Sequence, residues 1–305
     1  MLGYIMRRLL WMIPVLFAIT TITFFLMHNV PGGPFTTEKN RPPSVERALQ
    51  AKYGLDKPLL VQYRTYMWNL LHGDLGISTR QSDRPVTEII SRGLKVTAQL
   101  GLLALLVALV VGITLGTLAA LNRNGPLDYL SVLFATAGAS MPNFVLAVFL
   151  IIIFAVNLHW FDIIGWGEPR KMVLPVISVS ALPAAYLARV TRASMLEVIN
   201  QDYVRTARAK GLRESGVVLR HVIKNGMIPV LTLLGPITAN LITGSFITES
   251  IYSIPGIGRD FVRSVFDRDY GLIMGTTLFY TFIVVAANLF VDIAYAVVDP
   301  RIRYS

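Results

Sequence analysis

Several apolar stretches in this chain are each long enough to cross a lipid bilayer as a single helix. A helix needs about 20 residues to span the roughly 30 Å hydrocarbon core of a membrane. A transmembrane barrel would instead show short segments in which apolar and polar residues alternate. The apolar stretches lie at residues 9–30, 98–121, 129–158, 173–190, 227–248 and 272–298. The sequence therefore predicts an all-α membrane protein with about six transmembrane helices.

The composition agrees with this class and argues against others. Hydrophobic residues make up 54% of the chain and charged residues only 15%, which is too apolar for an ordinary soluble domain. The formal net charge is +10, but the basic residues flank the apolar stretches, so no nucleic-acid partner is expected. The absence of cysteine excludes disulfides and thiolate chemistry.

Two of the predicted spans contain residues that interrupt or dilute an apolar helix. The third span, 129–158, contains Pro142, which predicts a kink or a break. The fourth span, 173–190, is predicted to be the weakest because it holds two prolines and two serines. These residues are Pro175, Ser178, Ser180 and Pro183. Proline is tolerated within a span where neighbouring helices pack around it, so a packed bundle is expected.

Basic residues in the short loops predict the orientation of the chain, because cytoplasmic loops carry an excess of Lys and Arg. One side carries Arg7, Arg8, Arg123, Arg189, Arg192, Arg205, Arg208, Lys210, Arg213, Arg220, Lys224, Arg301 and Arg303. The short loops on the opposite side carry only Arg170, Lys171, Arg259, Arg263 and Arg268. Both termini are therefore expected in the cytoplasm.

The chain is expected to divide into three regions. Residues 1–30 form an N-terminal tail and the first span, residues 31–95 an external helical insertion, and residues 96–305 a five-helix core with a cytoplasmic loop at 191–226. In the insertion, one helix is predicted to begin at Pro42-Pro43-Ser44 and to stop at Gly54, and a second to begin near Pro58 and to end at His72-Gly73-Asp74. The insertion either caps the outer mouth of a pore or serves only in packing.

Polar side chains within the spans are candidates for a polar passage. Asn143, Asn240 and Asn288 lie well inside predicted spans, where they either line such a passage or join helices by hydrogen bonds. Ionisable residues occur only near predicted helix ends. These are Arg189, Glu249 and Asp292. Their positions favour interfacial or interhelical contacts over a proton relay.

The sequence shows no catalytic, cofactor or metal site. A G-x-x-x-x-G-K-[ST] phosphate loop is absent, as is the H-E-x-x-H zinc motif, and the four histidines are scattered over different segments. The chain is therefore not expected to be an enzyme, to bind ATP itself or to need a cofactor.

The cytoplasmic loop 191–226 contains a short helical pattern between an acidic residue and a glycine. Asp202 suits a helix N-terminus and Gly211 suits a helix end. Small residues between them, among them Ala207 and Ala209, alternate with basic ones, so the helix is predicted to dock into a groove of a partner protein. The alternative is a basic helix lying on anionic lipid. A second helical stretch is predicted at 216–225.

This loop carries a resemblance to a known family. Residues 202–212 (DYVRTARAKGL), followed by 219–221 (LRH) and 228–230 (IPV), resemble the coupling loop of ABC importer permeases. Further matching segments are 7–9 (RRL), 31–34 (PGGP), 72–76 (HGDLG), 249–258 (ESIYSIPGIG) and 299–301 (DPR). They are most similar to the dipeptide, oligopeptide and nickel branch, and within it to the oligopeptide permease subunit that precedes its partner permease. The family's Glu-Ala-Ala opening is replaced here by Arg205-Thr206-Ala207.

The resemblance implies a type I ABC importer permease fold in the inner membrane of a bacterium. It also implies a second related permease subunit, two cytoplasmic ATPase subunits, an external substrate-binding protein and a peptide substrate as partners, with the lipid bilayer around the chain. The residues that it assigns to ATPase coupling are Arg205, Thr206, Ala207, Arg208, Ala209, Lys210 and Gly211.

An external loop beside the pore mouth is a further candidate, and we hypothesise that it helps to release peptide from its carrier. It consists of Glu249, Tyr252, Ile254, Pro255, Gly256, Ile257 and Gly258. Its turn-forming Pro-Gly-Ile-Gly sequence suits a tight structural turn equally well.

Other functions remain open at the level of sequence. A nickel or glutathione ABC permease is the close alternative. A proton-coupled secondary peptide carrier would depend on Asp292 or Glu249, and a membrane scaffold would bind ATPases without transporting anything.

Overall fold

The fold is described from a computed structural model, which covers residues 2–35, 43–81, 84–242, 244 and 246–298. The helices in these ranges are α1 (Leu2–Asn29), α2 (Pro43–Lys52), α3 (Leu59–Leu71), α4 (Val86–Leu121), α5 (Pro126–Ser140), α6 (Asn143–Leu150), α7 (Pro169–Ile199), α8 (Asp202–Ala209), α9 (Glu214–Val217), α10 (Lys224–Gly226), α11 (Ile228–Ile242), α12 (Phe246–Ile251), α13 (Ile257–Asp267) and α14 (Tyr270–Val298). Two π-helical segments, Ile151–Asn157 and Val218–Ile223, continue α6 and α9. Arg301 and Arg303 lie outside the described residues, as does the side chain of Asp292.

Each predicted transmembrane helix has a counterpart in the described part of the chain. Five helical stretches are long and apolar enough to cross a membrane, and a sixth candidate is a pair of helices joined at a bend of 108°. The five are Met6–Asn29, Val86–Leu121, Pro169–Ile199, Ile228–Ile251 and Tyr270–Leu289. The prediction of about six membrane helices is confirmed.

The bend falls at the proline that the sequence marked. The bent pair consists of Pro126–Ser140 and Asn143–Asn157, and Pro142 caps the second helix with an extended ψ of 139°. Proline also pushes the preceding residue out of helical conformation, and Met141 is accordingly extended. The predicted break in the third span is therefore confirmed.

Helix α7 contains the span that seemed weakest from its sequence, and it is the most deeply packed of the five. In its most apolar stretch 56% of the residues are buried, against 12% to 28% in the other four. Ser178 and Ser180 lie in this packed interior, and the Ser178 hydroxyl donates to the Leu174 carbonyl at 2.8 Å. A helix surrounded by other helices needs less apolar surface than one that faces lipid, which explains its weak signal.

The chain forms two compact units, and residues 1–96 and 255–285 belong to the first. Helices α2 and α3 begin and end where the proline and glycine signals predicted. In this unit Phe24, Met27 and Met274 form a buried cluster against which Tyr63 and Tyr66 pack. The Tyr63 hydroxyl lies 2.8 Å from that of Thr21, so part of the predicted insertion is held against α1.

The second unit contains residues 97–254 and 286–305, and close helix packing runs through it. A Cβ atom added at Gly112 of α4 would lie 2.7 Å from the Cβ of Leu187 in α7. One added at Gly116 would lie 2.6 Å from the carbonyl oxygen of Ala188. Small residues at such contacts let membrane helices approach closely. This packing places α7 at the centre of the polar features described next.

Candidate functional site

Helix α8 occupies the predicted docking segment of the loop at residues 191–226. It begins at Asp202, an acidic residue that suits the positive end of a helix, and it ends at Ala209. Gly211 follows with a φ of +78°, a left-handed conformation that glycine adopts without steric cost. Both predicted ends of the helix are confirmed, and the predicted second stretch forms a continuous helical run that includes a π turn.

One face of α8 is anchored in the interior of the chain. Val204 and Ala207 are 0% and 5% exposed, and they pack with Ala120 at the end of α4 and Met195 in α7. Ala207 therefore contacts this chain's own core. The exposed members of the predicted coupling set are Arg205, Thr206, Arg208, Ala209, Lys210 and Gly211.

An ion pair connects α8 to the segment that follows it. The guanidinium of Arg208 donates to the Glu214 carboxylate at 2.7 Å through Nη2 and at 3.2 Å through Nε. This hydrogen bonding lowers the pKa of Glu214, so the pair stays ionised at neutral pH. The pair stabilises the turn around Gly211, and Arg205, Lys210 and Arg213 are further exposed basic residues of this segment.

A second ion pair joins two membrane helices, α5 and α7. Asp128 of α5 is 4% exposed and accepts two hydrogen bonds from Arg192 of α7, at 2.5 and 2.8 Å. The backbone N–H of Asn124 donates to the same carboxylate at 3.0 Å. Sequence reasoning missed Asp128; its position in the first helical turn after a Gly-Pro pair was the available signal.

A cavity of 570 Å³ lies among α6, α7, α11 and α12. Two of the three predicted passage residues, Asn143 and Asn240, line it, and Asn288 does not. Tyr186 and Arg189 of α7 also line it. The sequence interpretation missed this role for Arg189, which it treated as an interfacial residue. The remaining lining residues are Val179, Leu182, Pro183, Pro236, Ile237, Leu241, Gly244, Phe246 and Ile247.

The first half of the predicted external loop is buried in the second unit. Glu249 is fully buried and accepts a hydrogen bond from Thr97 Oγ1 at 2.9 Å, an interhelical contact of the kind that the sequence favoured. The buried Tyr252 hydroxyl donates to the Ala147 carbonyl at 3.3 Å and lies 3.0 Å from Ser178 Oγ. Ile254 is also buried.

The second half of this loop belongs to the first unit. Ile257 is 1% exposed and packs with Val86, Ile89 and Leu272. Gly256 and Gly258 are buried, whereas Pro255 is exposed. Most side chains of the loop therefore stabilise the fold, and its role in peptide release stays a prediction.

Two protein-family models match this chain and together cover most of it. Residues 112–304 match the family described as "Binding-protein-dependent transport system inner membrane component". Residues 1–97 match the N-terminal region of the same kind of membrane component.

Full-length relatives agree with this match. The dipeptide transport system permease protein DppB of Bacillus subtilis (strain 168) is 44% identical over 99% of this chain and 98% of its own length. The oligopeptide transport system permease protein OppB is 43% identical in Haemophilus influenzae and 42% identical in Escherichia coli K12, and both cover 100% of the two chains.

Solved structures share the fold. An inward-facing MetNI methionine ABC transporter chain has a TM-score of 0.57 at 17% identity and covers 70% of this chain and 97% of its own. A chain of an amino acid ABC transporter has a TM-score of 0.54 at 17% identity and covers 68% and 92%. The expected ABC importer permease fold is confirmed. The chain belongs to the family of binding-protein-dependent transport system inner membrane components.

Proposed function

We propose that this chain is the permease subunit of an ATP-driven peptide importer, and that its substrates are oligopeptides. The observation that carries the proposal is the 42–44% identity, along the whole chain, to relatives named as dipeptide and oligopeptide permeases. A nickel or glutathione permease of the same family remains the second candidate at the level of substrate.

The working complex contains three kinds of protein partner. A second, related permease completes the translocation path, two cytoplasmic ATPase subunits hydrolyse ATP, and an external binding protein delivers the peptide. Both termini face the cytoplasm, in agreement with the basic residues of the loop that contains α8.

Helix α8 transmits the movement of the ATPases to the membrane helices. Its exposed Arg205, Thr206, Ala209 and Lys210 contact an ATPase subunit, while Val204 and Ala207 hold the helix to α4 and α7. ATP binding and hydrolysis then shift the population between two states of the bundle by differential affinity for them. The buried face of α8, with Val204 and Ala207, already packs against this chain, and the exposed face is mostly basic or small. This arrangement supports docking on a protein over insertion into lipid.

Peptide passes along the face that carries the cavity of α6, α7, α11 and α12. Asn143 and Asn240 supply polar groups there. Asn288 is exposed on α14 and belongs to the same proposed set, although it lies outside this cavity.

The first experiment tests contact between α8 and an ATPase subunit. The chain has no native cysteine, so Ala209→Cys introduces a single thiol on the exposed side of α8. Co-expressed with ATPase subunits that carry single cysteines along their membrane-facing groove, it is expected to form a disulfide crosslink whose yield changes with nucleotide. Ala207→Cys is the matched control, because its buried side chain is expected to give no crosslink.

The outcomes separate the alternatives. A thiol at Ala209 that reacts only with lipid-soluble reagents would place α8 on the membrane surface and favour the secondary carrier or the scaffold. Substrate is tested separately, by uptake of trialanine into proteoliposomes that contain all subunits. Uptake without ATP, or uptake of nickel in place of peptide, would contradict the proposed activity.

A further inference from the structure

The cavity lined by Asn143 and Asn240 contains one charged side chain among its lining residues, the guanidinium of Arg189. Arginine keeps its charge at every physiological pH. Most of the remaining wall is apolar, and a positive charge beside an apolar wall in a membrane helix is costly unless it serves a partner or a ligand. The cavity therefore favours an anionic group.

Arg189 lies on the face of α7 that points away from the packed core. Leu182, Tyr186 and Arg189 follow each other at helical spacing, and all three are exposed and line the cavity. The intervening Leu187 and Ala188 are buried. The helix thus separates a packing face from a face that is open to the cavity, and Arg189 belongs to the second.

The two arginines near this end of α7 have different surroundings. Arg192 is neutralised by Asp128 through two hydrogen bonds. Arg189 has no carboxylate partner among the residues that the structure describes. Glu249 is the acidic residue of α12. It is fully buried against Thr97 and does not line the cavity.

A second positive feature reaches the same cavity. Helix α6 begins at Asn143, directly after the 108° bend, and Asn143 is a lining residue. The first N–H groups of a helix have no intrahelical partner and carry a partial positive charge. Broken membrane helices use such ends to bind anionic groups of substrates.

The size of the cavity suits a small organic ligand. Its 570 Å³ falls within the roughly 300–1,000 Å³ that is common for ligand sites. Every linear peptide carries an ionised carboxylate at its C-terminus, and a guanidinium binds a carboxylate through two parallel hydrogen bonds. The apolar remainder of the wall suits side chains of varied sequence.

We propose that Arg189 binds the C-terminal carboxylate of the peptide during its passage, in a cavity whose wall also includes the N-terminal end of α6. This inference rests on the proposed function. It assigns to the permease a preference for peptides with a free C-terminus, which adds to any selection by the binding protein.

The test compares trialanine with its C-terminal amide in proteoliposomes that contain the complete complex and saturating binding protein. Arg189→Gln is expected to lower the initial rate for trialanine about tenfold and the rate for the amide less than about twofold, because only the charged hydrogen bonds are lost. Arg189→Lys keeps the charge and is expected to retain part of the preference for the acid. Arg170→Gln removes a charge at the other end of α7 and serves as the matched control.

The same binding protein is used throughout, so its own preference cancels in the comparison of variants. If the binding protein rejects the amide, the preference for the acid over the amide is measured by competition of the two compounds for the purified complex without binding protein. Equal loss of both rates would overturn the carboxylate subsite and point to a structural role for Arg189. No loss of either rate would also overturn it, because Arg189 would then not act on the peptide. A wild-type complex that transports no peptide would instead contradict the proposed function.

Discussion

Asp128 of α5 and Arg192 of α7 form an ion pair that holds these two membrane helices together at one defined contact. The carboxylate is nearly inaccessible, whereas 29% of the Arg192 side chain is exposed. Burying one ion is costly unless its hydrogen-bonding capacity is filled, and here two guanidinium N–H groups and the Asn124 N–H fill it. The pair therefore contributes mainly by specifying how α5 and α7 meet, since the net gain of a buried pair over apolar packing is small.

Removing one partner of this pair should destabilise the chain. Asp128→Asn leaves Arg192 without its counter-charge. We expect a loss of about 1–3 kcal/mol in the free energy of unfolding, which is the usual cost of leaving a buried polar group without its hydrogen-bond partner. The measurement is the thermal midpoint of the purified protein in detergent. Glu88→Gln is the control, because the Glu88–Arg92 pair is exposed on both sides and such pairs contribute little. Equal shifts for both variants would contradict the structural role of Asp128.

The sequence could predict which residues are polar within the spans, but it could not predict what they face. Arg189 and Arg192 are three positions apart, and both were counted among the basic residues on one side of the membrane. One of them pairs with Asp128 and the other lines a cavity. The difference depends on which neighbouring helix lies opposite each one, and this tertiary information is absent from helical spacing.

At the scale of elements, α4 is shaped by glycines at its contacts with other helices. Gly112 and Gly116 lie one turn apart against α7, and a Cβ at Gly101 would lie 2.5 Å from the Leu241 carbonyl of α11. These contacts involve backbone atoms, which cannot move aside as a flexible side chain can. Helix α4 therefore forms a smooth surface against which α7 and α11 pack.

A large side chain on this surface should separate the helices. Gly112→Leu places a branched side chain against Leu187 and Ala184, and overpacking of this kind costs about 1–3 kcal/mol or more. We expect a lower thermal midpoint and less monodisperse protein on size-exclusion chromatography. Gly216→Ala is the control, because no atom lies within 4 Å of a Cβ at that position. Unchanged behaviour of Gly112→Leu would show that the close approach is not needed.

The start and stop signals of several elements were legible in the sequence, whereas packing depth was not. Pro142, Gly54 and Gly211 each mark a helix end by local backbone chemistry, and the structure agrees at each. The depth at which α7 is packed could not be inferred, because its hydropathy only shows that it is less apolar. The π turn at Val218–Ile223 also gave no local signal, since it contains neither proline nor glycine.

At the scale of the whole molecule, the anchoring of α8 joins the proposed coupling loop to the membrane helices. Val204 contacts a cluster that includes residues from α4, α7 and the helical run after α8. In the complete complex, a force on α8 would move these elements together. The family membership was predictable from sequence because its signature lies in contiguous motifs, whereas this anchor is assembled from residues far apart in the chain.

Weakening the anchor should separate ATP hydrolysis from uptake. Val204→Ala removes buried methyl groups and leaves a void, which costs on the order of 1 kcal/mol, and it leaves the exposed face of α8 unchanged. We expect near-normal ATP hydrolysis in proteoliposomes with a higher number of ATP molecules consumed per peptide. Leu219→Ala, on an exposed position nearby, is the control. A fall in hydrolysis and uptake by the same factor would argue against an anchor that transmits force.

The packing of α7 also bears on how the chain enters the membrane during synthesis. In its most apolar stretch the mean hydropathy is 1.6, against 2.2 and 2.6 in α1 and α4. It also contains two prolines and carries Arg189 and Arg192, so a bilayer would accept it less readily than α1 or α4 as an isolated segment. Its partners Gly112, Gly116 and Asp128 lie earlier in the chain and leave the ribosome first. We therefore expect α4 and α5 to remain beside the translocon and to pack against α7 as it is inserted. For this span, insertion and folding are then one event.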